Sequence, residues 1–216
     1  MFASLALSPG GDALPRRALE ITSNLVYWTV VLALAACTLF FVANVQQRRG
    51  QLRQDRSVEI ESGTQVDLVR VIDADEVSVR PPSGSTFVVR LLGVKGFSTT
   101  VNEPGVAGLG QVAVTAIERA VADKELRVVF DELAFDRSGR VLAYLEVDGE
   151  DLGQQLVQHG HMVTYTRYPF SREAMYQSVE AEARAKKAGL WGNYKAVARV
   201  QGWQDSWKAA REAEAP

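Results

Sequence analysis

Residues 65–94 read QVDLVRVIDADEVSVRPPSGSTFVVRLLGV, and this stretch decides the fold. Three short runs within it, 65–73, 76–80 and 86–94, are rich in β-branched residues and alternate apolar with polar side chains. Between the second and third runs, residues 81–85 (PPSGS) have the composition of a turn. The stretch therefore predicts three consecutive β-strands connected as a meander.

Downstream, two further runs have the pattern of strands, at residues 126–130 and 141–147. Three runs have the spacing of helices, at residues 109–120, 152–158 and 171–187. Gly160 is placed to end the second helix in a left-handed conformation, and Ser171 is placed to cap the start of the third. Five strands with helices between them predict an α+β domain built on a small five-stranded β-barrel of the OB type.

The N-terminal quarter of the chain has a different composition. Residues 25–45 (LVYWTVVLALAACTLFFVANV) carry no charge, and a helix of that length spans about 31 Å, the thickness of a bilayer core. We therefore predict a single transmembrane helix over residues 24–46. A cleaved lipoprotein signal ending before Cys37 is the main rival, but the apolar run continues to Val42, where a processed lipoprotein should become polar.

These patterns divide the chain into five parts. They are an N-terminal tail (1–23), a transmembrane helix (24–46), a polar stalk (47–63), a barrel domain (64–193) and a C-terminal helical tail (194–216). Four arginines follow the apolar run and two precede it. This asymmetry favours the cytoplasmic or matrix-like side for the barrel domain. The lipid bilayer is accordingly the first partner that we expect.

The charge of the soluble part bears on its other partners. From residue 57 onward there are 18 basic and 23 acidic side chains, a net charge of −5. Non-specific affinity for nucleic acid comes mainly from basic groups that displace counterions from phosphates, so we expect no nucleic-acid partner. With only Cys37 and two histidines, the chain has neither a disulfide framework nor a metal site built on thiolates or imidazoles.

Five short motifs occur in order along the barrel domain: VIDADEV, VRLLGV, DRSGRVLAY, LVQHG and AKKAGLW, at residues 71–77, 89–94, 136–144, 156–160 and 185–191. Taken together, they resemble the motifs of the staphylococcal nuclease (thermonuclease) family. The resemblance covers about residues 66–191 and implies the barrel fold of that family, whose members hydrolyse phosphodiesters with Ca²⁺.

The resemblance also implies roles for individual residues. In the family two aspartates hold Ca²⁺, a glutamate orients or activates the attacking water, and two arginines hold the phosphate. Asp75 matches the first metal aspartate, and Arg90 and Arg140 match the two arginines. Lys95 stands at the position of the second aspartate and Ser98 at that of the glutamate. Because Ca²⁺ needs several carboxylates and an ammonium group repels it, we expect no metal, no cofactor and no intact catalytic set.

Alternatives remain open for several of these residues. Glu103 either replaces the missing base or is a solvated loop acid. Lys95 either neutralises Asp75 beneath a bound phosphate or forms an ordinary ion pair or surface contact. Arg90 and Arg140 either bind phosphate or another acidic ligand, or they tie strands to a carboxylate.

Three aromatic residues complete the set of candidates. The resemblance implies that Tyr165 stacks a base or a similar ligand, while a place in the core is the other interpretation. Trp203 and Trp207 share one face of a predicted helix in the C-terminal tail. They either contact a protein partner, as tryptophans often do at interfaces, or dock on their own barrel.

Two hypotheses for function follow. The first, which the lost acids favour, is a membrane-anchored nuclease-like module without catalysis that serves as an accessory or scaffold subunit of a membrane protein assembly. The alternative is a membrane-anchored nuclease, a phosphodiesterase acting on nucleic acid through an altered metal site. Ca²⁺ is a cofactor only in the second case.

Overall fold

The computed structural model describes residues 60–132, 134–136 and 140–214, together with Val31 and Leu34. Apart from those two residues, the predicted transmembrane helix at 24–46 lies outside the described part, as does most of the stalk at 47–63. None of the helices within the described part is long and apolar enough to cross a bilayer. Asp55–Pro216 forms one compact unit, to which the following description applies.

A closed β-barrel forms the centre of this unit. The strands of the unit are β1 (Thr64–Asp73), β2 (Glu76–Arg80), β3 (Phe87–Leu91), β4 (Val94–Lys95), β5 (Leu126–Val129), β6 (Val141–Val147), β7 (Glu150–Asp151) and β8 (Val163–Thr164). Of these, β4 and β8 pair with each other as a separate two-stranded sheet, and the other six form the main sheet. The sheet runs in the order β3-β2-β1-β5-β6-β7, and β3 also pairs in parallel with β6. That last pairing closes five strands into a barrel, which confirms the predicted fold class.

Helices cover the barrel and extend beyond it. They are α1 (Leu109–Val121), α2 (Leu152–Gln158), α3 (Glu173–Ala185) and α4 (Tyr194–Ala213), with a 3-10 turn at Gly189–Gly192. The Asp151 side chain caps α2 by accepting from the Gln154 backbone N–H, and Asn193 caps α4 by accepting from the N–H of Lys195 and Ala196. Gly160 has a φ of 68°, the left-handed conformation predicted for it.

Two local predictions were wrong. The third strand does not run from 86 to 94, because Gly93 adopts a φ of 77° and turns the chain between β3 and β4. Ser171 does not cap α3, since its backbone N–H and its hydroxyl both donate to Asp131, at 2.8 and 2.5 Å. The helix begins two residues later, at Glu173.

Two apolar clusters stabilise the unit. The larger fills the barrel and includes the fully buried side chains of Val77, Val79, Val89, Ile117, Leu126 and Leu145. The smaller lies where the chain after β4 meets the end of α3, the 3-10 turn and α4, and it includes Phe97, Val106, Leu190, Trp191 and Val200. Because Val200 belongs to α4, the C-terminal helix is part of the packed domain.

Alternate residues of β2 and β3 point into the barrel, as their period of two requires.

Candidate functional site

The turn between β1 and β2 carries Asp75 to the end of the barrel where β3 stops. The Leu91 backbone N–H donates to the Asp75 carbonyl at 3.0 Å, which joins the turn to β3. The end of β4 packs closely against the turn that contains Ala74, because residue 96 is glycine: a Cβ at this position would lie 2.5 Å from the Ala74 Cβ. This close approach brings Lys95 beside Asp75.

Asp75 is buried, with only 4% of its surface exposed, and it is paired with two cations. Arg90 forms an ion pair with one carboxylate oxygen and donates to the Asp75 carbonyl at 3.1 Å. Lys95 Nζ donates to the other carboxylate oxygen at 2.8 Å. Both oxygens that a metal ion would need are therefore engaged by positively charged groups.

This set of donors does not fit the Ca²⁺ ion that the resemblance implies. Ca²⁺ takes six to eight oxygen ligands, several of them from carboxylates. At this position Asp75 supplies a single carboxylate, and Lys95 Nζ is already hydrogen-bonded to it. Throughout the described part of the chain, no group of three or more His, Cys, Asp or Glu side chains is placed to hold a metal ion. We therefore assign no chemical step to a metal at this site.

The two cations beside Asp75 are also close to a third. The pKa of Arg90 is lowered to about 10, mainly by burial and next by the charge of Arg140. Burial likewise lowers the pKa of Lys95, with the charge of Arg90 as the next cause. The charges of these basic side chains therefore lower one another's pKa values, as expected of like charges that lie near each other.

Arg140 is held by two other carboxylates. Its Nη1 donates to Glu76 at 2.5 Å and its Nε to Asp136 at 2.6 Å, and its backbone N–H also donates to Asp136. Burial alone would lower the pKa of Arg140, but the bonds to Asp136 and Glu76 raise it. The side chain stays 46% exposed, so Arg140 faces solvent at the rim of the site, whereas Arg90 lies inside it.

Ser98 contacts Thr100 and Asp73. Its hydroxyl lies 3.0 Å from the Thr100 hydroxyl and is hydrogen-bonded to Asp73. Asp73 also accepts from the backbone N–H groups of Ala74 and Thr99, both at 2.9 Å. Burial acts to raise the pKa of Asp73, but these backbone bonds lower it overall, so Asp73 organises the turn at the end of β1.

Glu103, considered as a replacement base, points to the C-terminal helix. One of its carboxylate oxygens lies 3.3 Å from Arg199 Nη2, and both side chains are more than half exposed. This contact matches the interpretation of Glu103 as a solvated loop acid.

Tyr165 lies next to the two arginines. Its backbone N–H donates to the Gly93 carbonyl at 2.8 Å, which fixes it beside the end of β3. Burial and the neighbouring Tyr168 raise its pKa, while the charges of Arg90 and Arg140 act to lower it. The side chain is partly exposed, so it is neither a core residue nor a free platform.

Trp203 and Trp207 dock on their own domain. The Trp203 ring lies 4.8 Å from the Phe97 ring, and the Trp207 ring meets Tyr165 almost perpendicularly at 4.7 Å. Both indoles are partly buried. Of the two alternatives for this helix, docking on the barrel domain is the one that the structure contains.

The acidic partners of Arg140 were not predicted from the sequence. Glu76 directly follows Asp75, and Asp136 precedes Arg140 by four residues within the same motif. That proximity was the available signal. An open cleft of about 600 Å³ lies elsewhere, lined by residues 65–68, 118 and 121–126, and none of the predicted site residues borders it.

Comparison with known proteins agrees with the barrel fold. Residues 88–193 match the family described as staphylococcal nuclease homologue. The thermonuclease of Staphylococcus hyicus is 25% identical over 127 residues, which is 58% of this chain and 75% of that protein. The match ends where α4 begins. The chain therefore contains a staphylococcal nuclease-like domain.

Proposed function

We propose that this chain is a membrane-anchored nuclease-like module that does not cleave phosphodiesters and serves as an accessory or scaffold subunit of a membrane protein assembly. The observation that carries the loss of catalysis is the pairing of both Asp75 carboxylate oxygens with Arg90 and Lys95. Lys95 supplies, as a fixed side chain, the positive charge that a metal ion would otherwise bring. Ser98 supplies no carboxylate for a water molecule.

The electrostatics support this part of the proposal. A divalent ion at Asp75 would lie close to the Lys95 ammonium and the Arg90 guanidinium. At about 4 Å, like unit charges repel by about 4 kcal/mol at an effective dielectric constant of 20, and a divalent ion doubles this. A single carboxylate does not compensate for that repulsion, so the pocket favours its own cations over Ca²⁺.

The test is a cleavage assay in which variants of the candidate site serve as matched controls. Single-stranded DNA and RNA are incubated with the purified protein and Ca²⁺, and we expect no cleavage above the Asp75→Ala variant. Cleavage that is stimulated by Ca²⁺ and abolished by Asp75→Ala or Arg90→Ala would establish the alternative, a membrane-anchored nuclease with an altered metal site. Because the relative from Staphylococcus hyicus is a thermonuclease, a nuclease is the natural second candidate.

The membrane part of the proposal depends on the uncharged run at 25–45. We expect the whole chain to stay in the membrane pellet after alkaline carbonate extraction, while the fragment 57–216 is released. Protease is then added to sealed vesicles whose interior is the cytoplasmic or matrix-like side. It should leave the barrel domain intact if the domain lies on that side, as the flanking arginines favour. Release of the whole chain by carbonate would contradict the anchor.

The scaffold role depends on there being partner proteins. Gentle detergent extraction, followed by sizing and identification of the proteins that co-purify, should give a particle larger than one chain in its micelle. A lone small particle would argue against an assembly. The excess of acidic side chains, 23 against 18 basic ones from residue 57 onward, favours a protein partner over nucleic acid.

A further inference from the structure

The C-terminal helix α4 contacts both segments that border the candidate site. It begins at Tyr194, directly after the last residue of the match to the nuclease family. One of the bordering segments, residues 97–105, follows Lys95. The other, residues 165–168, contains Tyr165. A helix added to the end of the domain thus reaches over the same end of the barrel as Asp75 and the two arginines.

Its contacts to the first segment are both apolar and polar. Trp203 packs on Phe97, a side chain that is only 2% exposed. At the start of the helix, Lys195 Nζ donates to the Pro104 carbonyl at 2.9 Å and Asn193 donates to the Gly105 carbonyl at 2.5 Å. This half of the contact is an integral part of the smaller apolar cluster.

The contacts to the second segment are of another kind. Trp207 meets the Tyr165 ring, Arg211 Nη1 donates to the Thr166 carbonyl at 3.1 Å, and the Glu214 carboxylate accepts from both terminal nitrogens of Arg167. These polar contacts are partly or largely exposed, and exposed ion pairs contribute little to stability. Arg211 also pairs with Glu173 at 2.8 Å. The C-terminal half of α4 is therefore held by ring contacts and by polar contacts near the surface, whereas the N-terminal half contains the fully buried residues Ala196 and Val200.

The contact between Trp207 and Tyr165 covers a surface with ligand-binding chemistry. Tyr165 combines an aromatic ring with the neighbouring charges of Arg90 and Arg140, and such a combination suits a planar aromatic group that carries an anion. A nucleoside monophosphate has both parts. Trp207 and Tyr168 both meet the Tyr165 ring edge to face, with centroids at 4.7 and 6.3 Å, so with α4 in place part of the space around this ring is already filled by an aromatic side chain.

We propose that α4 is an autoinhibitory cover, in which Trp207 occupies the place on Tyr165 that the base of a nucleoside monophosphate would take. The cover opens at its C-terminal half, where the Arg211 and Glu214 contacts release, while Trp203 remains packed on Phe97. The proposal requires no hydrolysis and is independent of whether the site has lost catalysis.

The test compares two tryptophans on one helix. The whole chain in detergent micelles is prepared as wild type, Trp207→Ala and Trp203→Ala, and titrated by calorimetry with adenosine 5′-monophosphate and with inorganic phosphate. We expect Trp207→Ala to bind the nucleotide about tenfold more tightly than wild type, as the gain of one base–aromatic stack implies. Trp203→Ala removes an indole that is paired with Phe97 and, at 6.2 Å, with Trp207 but not with Tyr165, so it should give a clearly smaller gain. The affinity for inorganic phosphate should be the same in all three.

Further variants distinguish the covering of Tyr165 by Trp207 from a general loosening of α4. Adding Tyr165→Ala to Trp207→Ala should remove the gain, and Arg211→Ala, which alters no ring, should give a smaller gain in the same direction. An unchanged nucleotide affinity in Trp207→Ala would overturn the proposal. So would an equal gain in Trp203→Ala, or an equal gain for inorganic phosphate, because either result would show that Trp207 does not act by covering Tyr165. Circular dichroism checks that each variant keeps its helices.

Discussion

Two clusters of charged side chains in this domain differ in what their neighbours do to them. The first is the candidate site, made of Asp75, Arg90 and Lys95. The second, which we call the α3 anchor, ties the start of α3 to β6 and the start of α2, and consists of Asp131, Tyr144, Glu146, Asp151, Ser171, Arg172 and Tyr176. Both contain carboxylates that are bound by basic or hydroxyl groups.

In the α3 anchor, hydrogen bonds stabilise the charged forms. Burial acts to raise the pKa of Asp131, yet the bonds from Ser171 and Tyr144 lower it to about 2. Burial acts to lower the pKa of Arg172, yet the bonds to Asp151 and Glu146 raise it. Asp131 and Arg172 are therefore both more firmly charged in the folded state than in water.

In the candidate site, the cations are less firmly charged than in water. The pKa values of Arg90 and Lys95 are both lowered, first by burial and then by another guanidinium nearby. Two cations share the single carboxylate of Asp75, so burial and their mutual repulsion are only partly offset. In the α3 anchor, by contrast, Arg172 has two carboxylate partners.

The largest effect that we expect is from breaking the α3 anchor. Asp151→Ala removes the acceptor of the buried Tyr176 hydroxyl, a partner of Arg172 and the cap of α2. Breaking a buried ion pair from one side typically costs about 3 to 5 kcal/mol, so we expect a loss of about 3 kcal/mol in the free energy of unfolding. Urea unfolding of the fragment 57–216 measures it. Glu150→Ala, at the exposed neighbouring position, is the control, and a loss below about 1 kcal/mol would contradict the structural role.

The next effect concerns Asp75. Asp75→Ala leaves Arg90 and Lys95 without their shared anion, and we expect a loss of about 2 kcal/mol in the same unfolding assay. Adding Lys95→Met should restore part of it, because one of the two unpaired cations is then gone. A double-mutant cycle gives the coupling between the two residues. If Lys95→Met made Asp75→Ala worse, Lys95 would not be acting as the internal counter-ion of Asp75.

The barrel was predictable because its signals are local. Alternating runs, a turn rich in Pro, Gly and Ser, and five ordered motifs each report on a few neighbouring residues, and the structure has the strands close to where these patterns put them. The end of β3 was misjudged, since residues 92–94 remain apolar and only the φ of Gly93 reveals the turn. Ser171 was misjudged for a different reason: its acceptor, Asp131, lies forty residues away in the chain.

The sequence predicted which residues belong to the candidate site, but it left open which basic side chain binds which carboxylate. The motifs identify Asp75, Arg90 and Arg140, and the break in the pattern identifies Lys95 and Ser98. Which cation meets which carboxylate depends on side-chain directions and on the close packing of Gly96 against Ala74, neither of which a linear pattern contains. The covering of Tyr165 by Trp207 joins residues 42 positions apart and was outside the reach of motif analysis for the same reason.

A smaller effect is the pH dependence of the α3 anchor. The pKa of Asp131 is near 2 in the folded protein against an ordinary 3.8. Its stabilising contribution is therefore fully present above pH 4 to 5 and is lost as pH falls toward 2. Because the group is largely solvent-screened, we expect about 1 kcal/mol. Asp131→Asn should be less stable than wild type at pH 6 and approach it near pH 2 to 3, as measured by urea unfolding at each pH; a difference that does not depend on pH would contradict the assignment.

The smallest expected effect is that of Ca²⁺ on the wild-type domain, where we expect no measurable change in melting temperature at 10 mM, because Lys95 already neutralises Asp75. The matched variant is Lys95→Asp with Ser98→Glu, which returns acids to the two positions at which the family resemblance places them. If that variant binds Ca²⁺ with a Kd of about 1 mM, 10 mM Ca²⁺ stabilises it by about 1.4 kcal/mol, a rise of about 3 to 5 °C for a domain of this size. Mg²⁺ at the same concentration controls for ionic strength. A rise in the wild type that equals the rise in the variant would mean that Asp75 gathers a cation despite Lys95, and the contrast between a site without a metal and a structural brace would then fail at its central point.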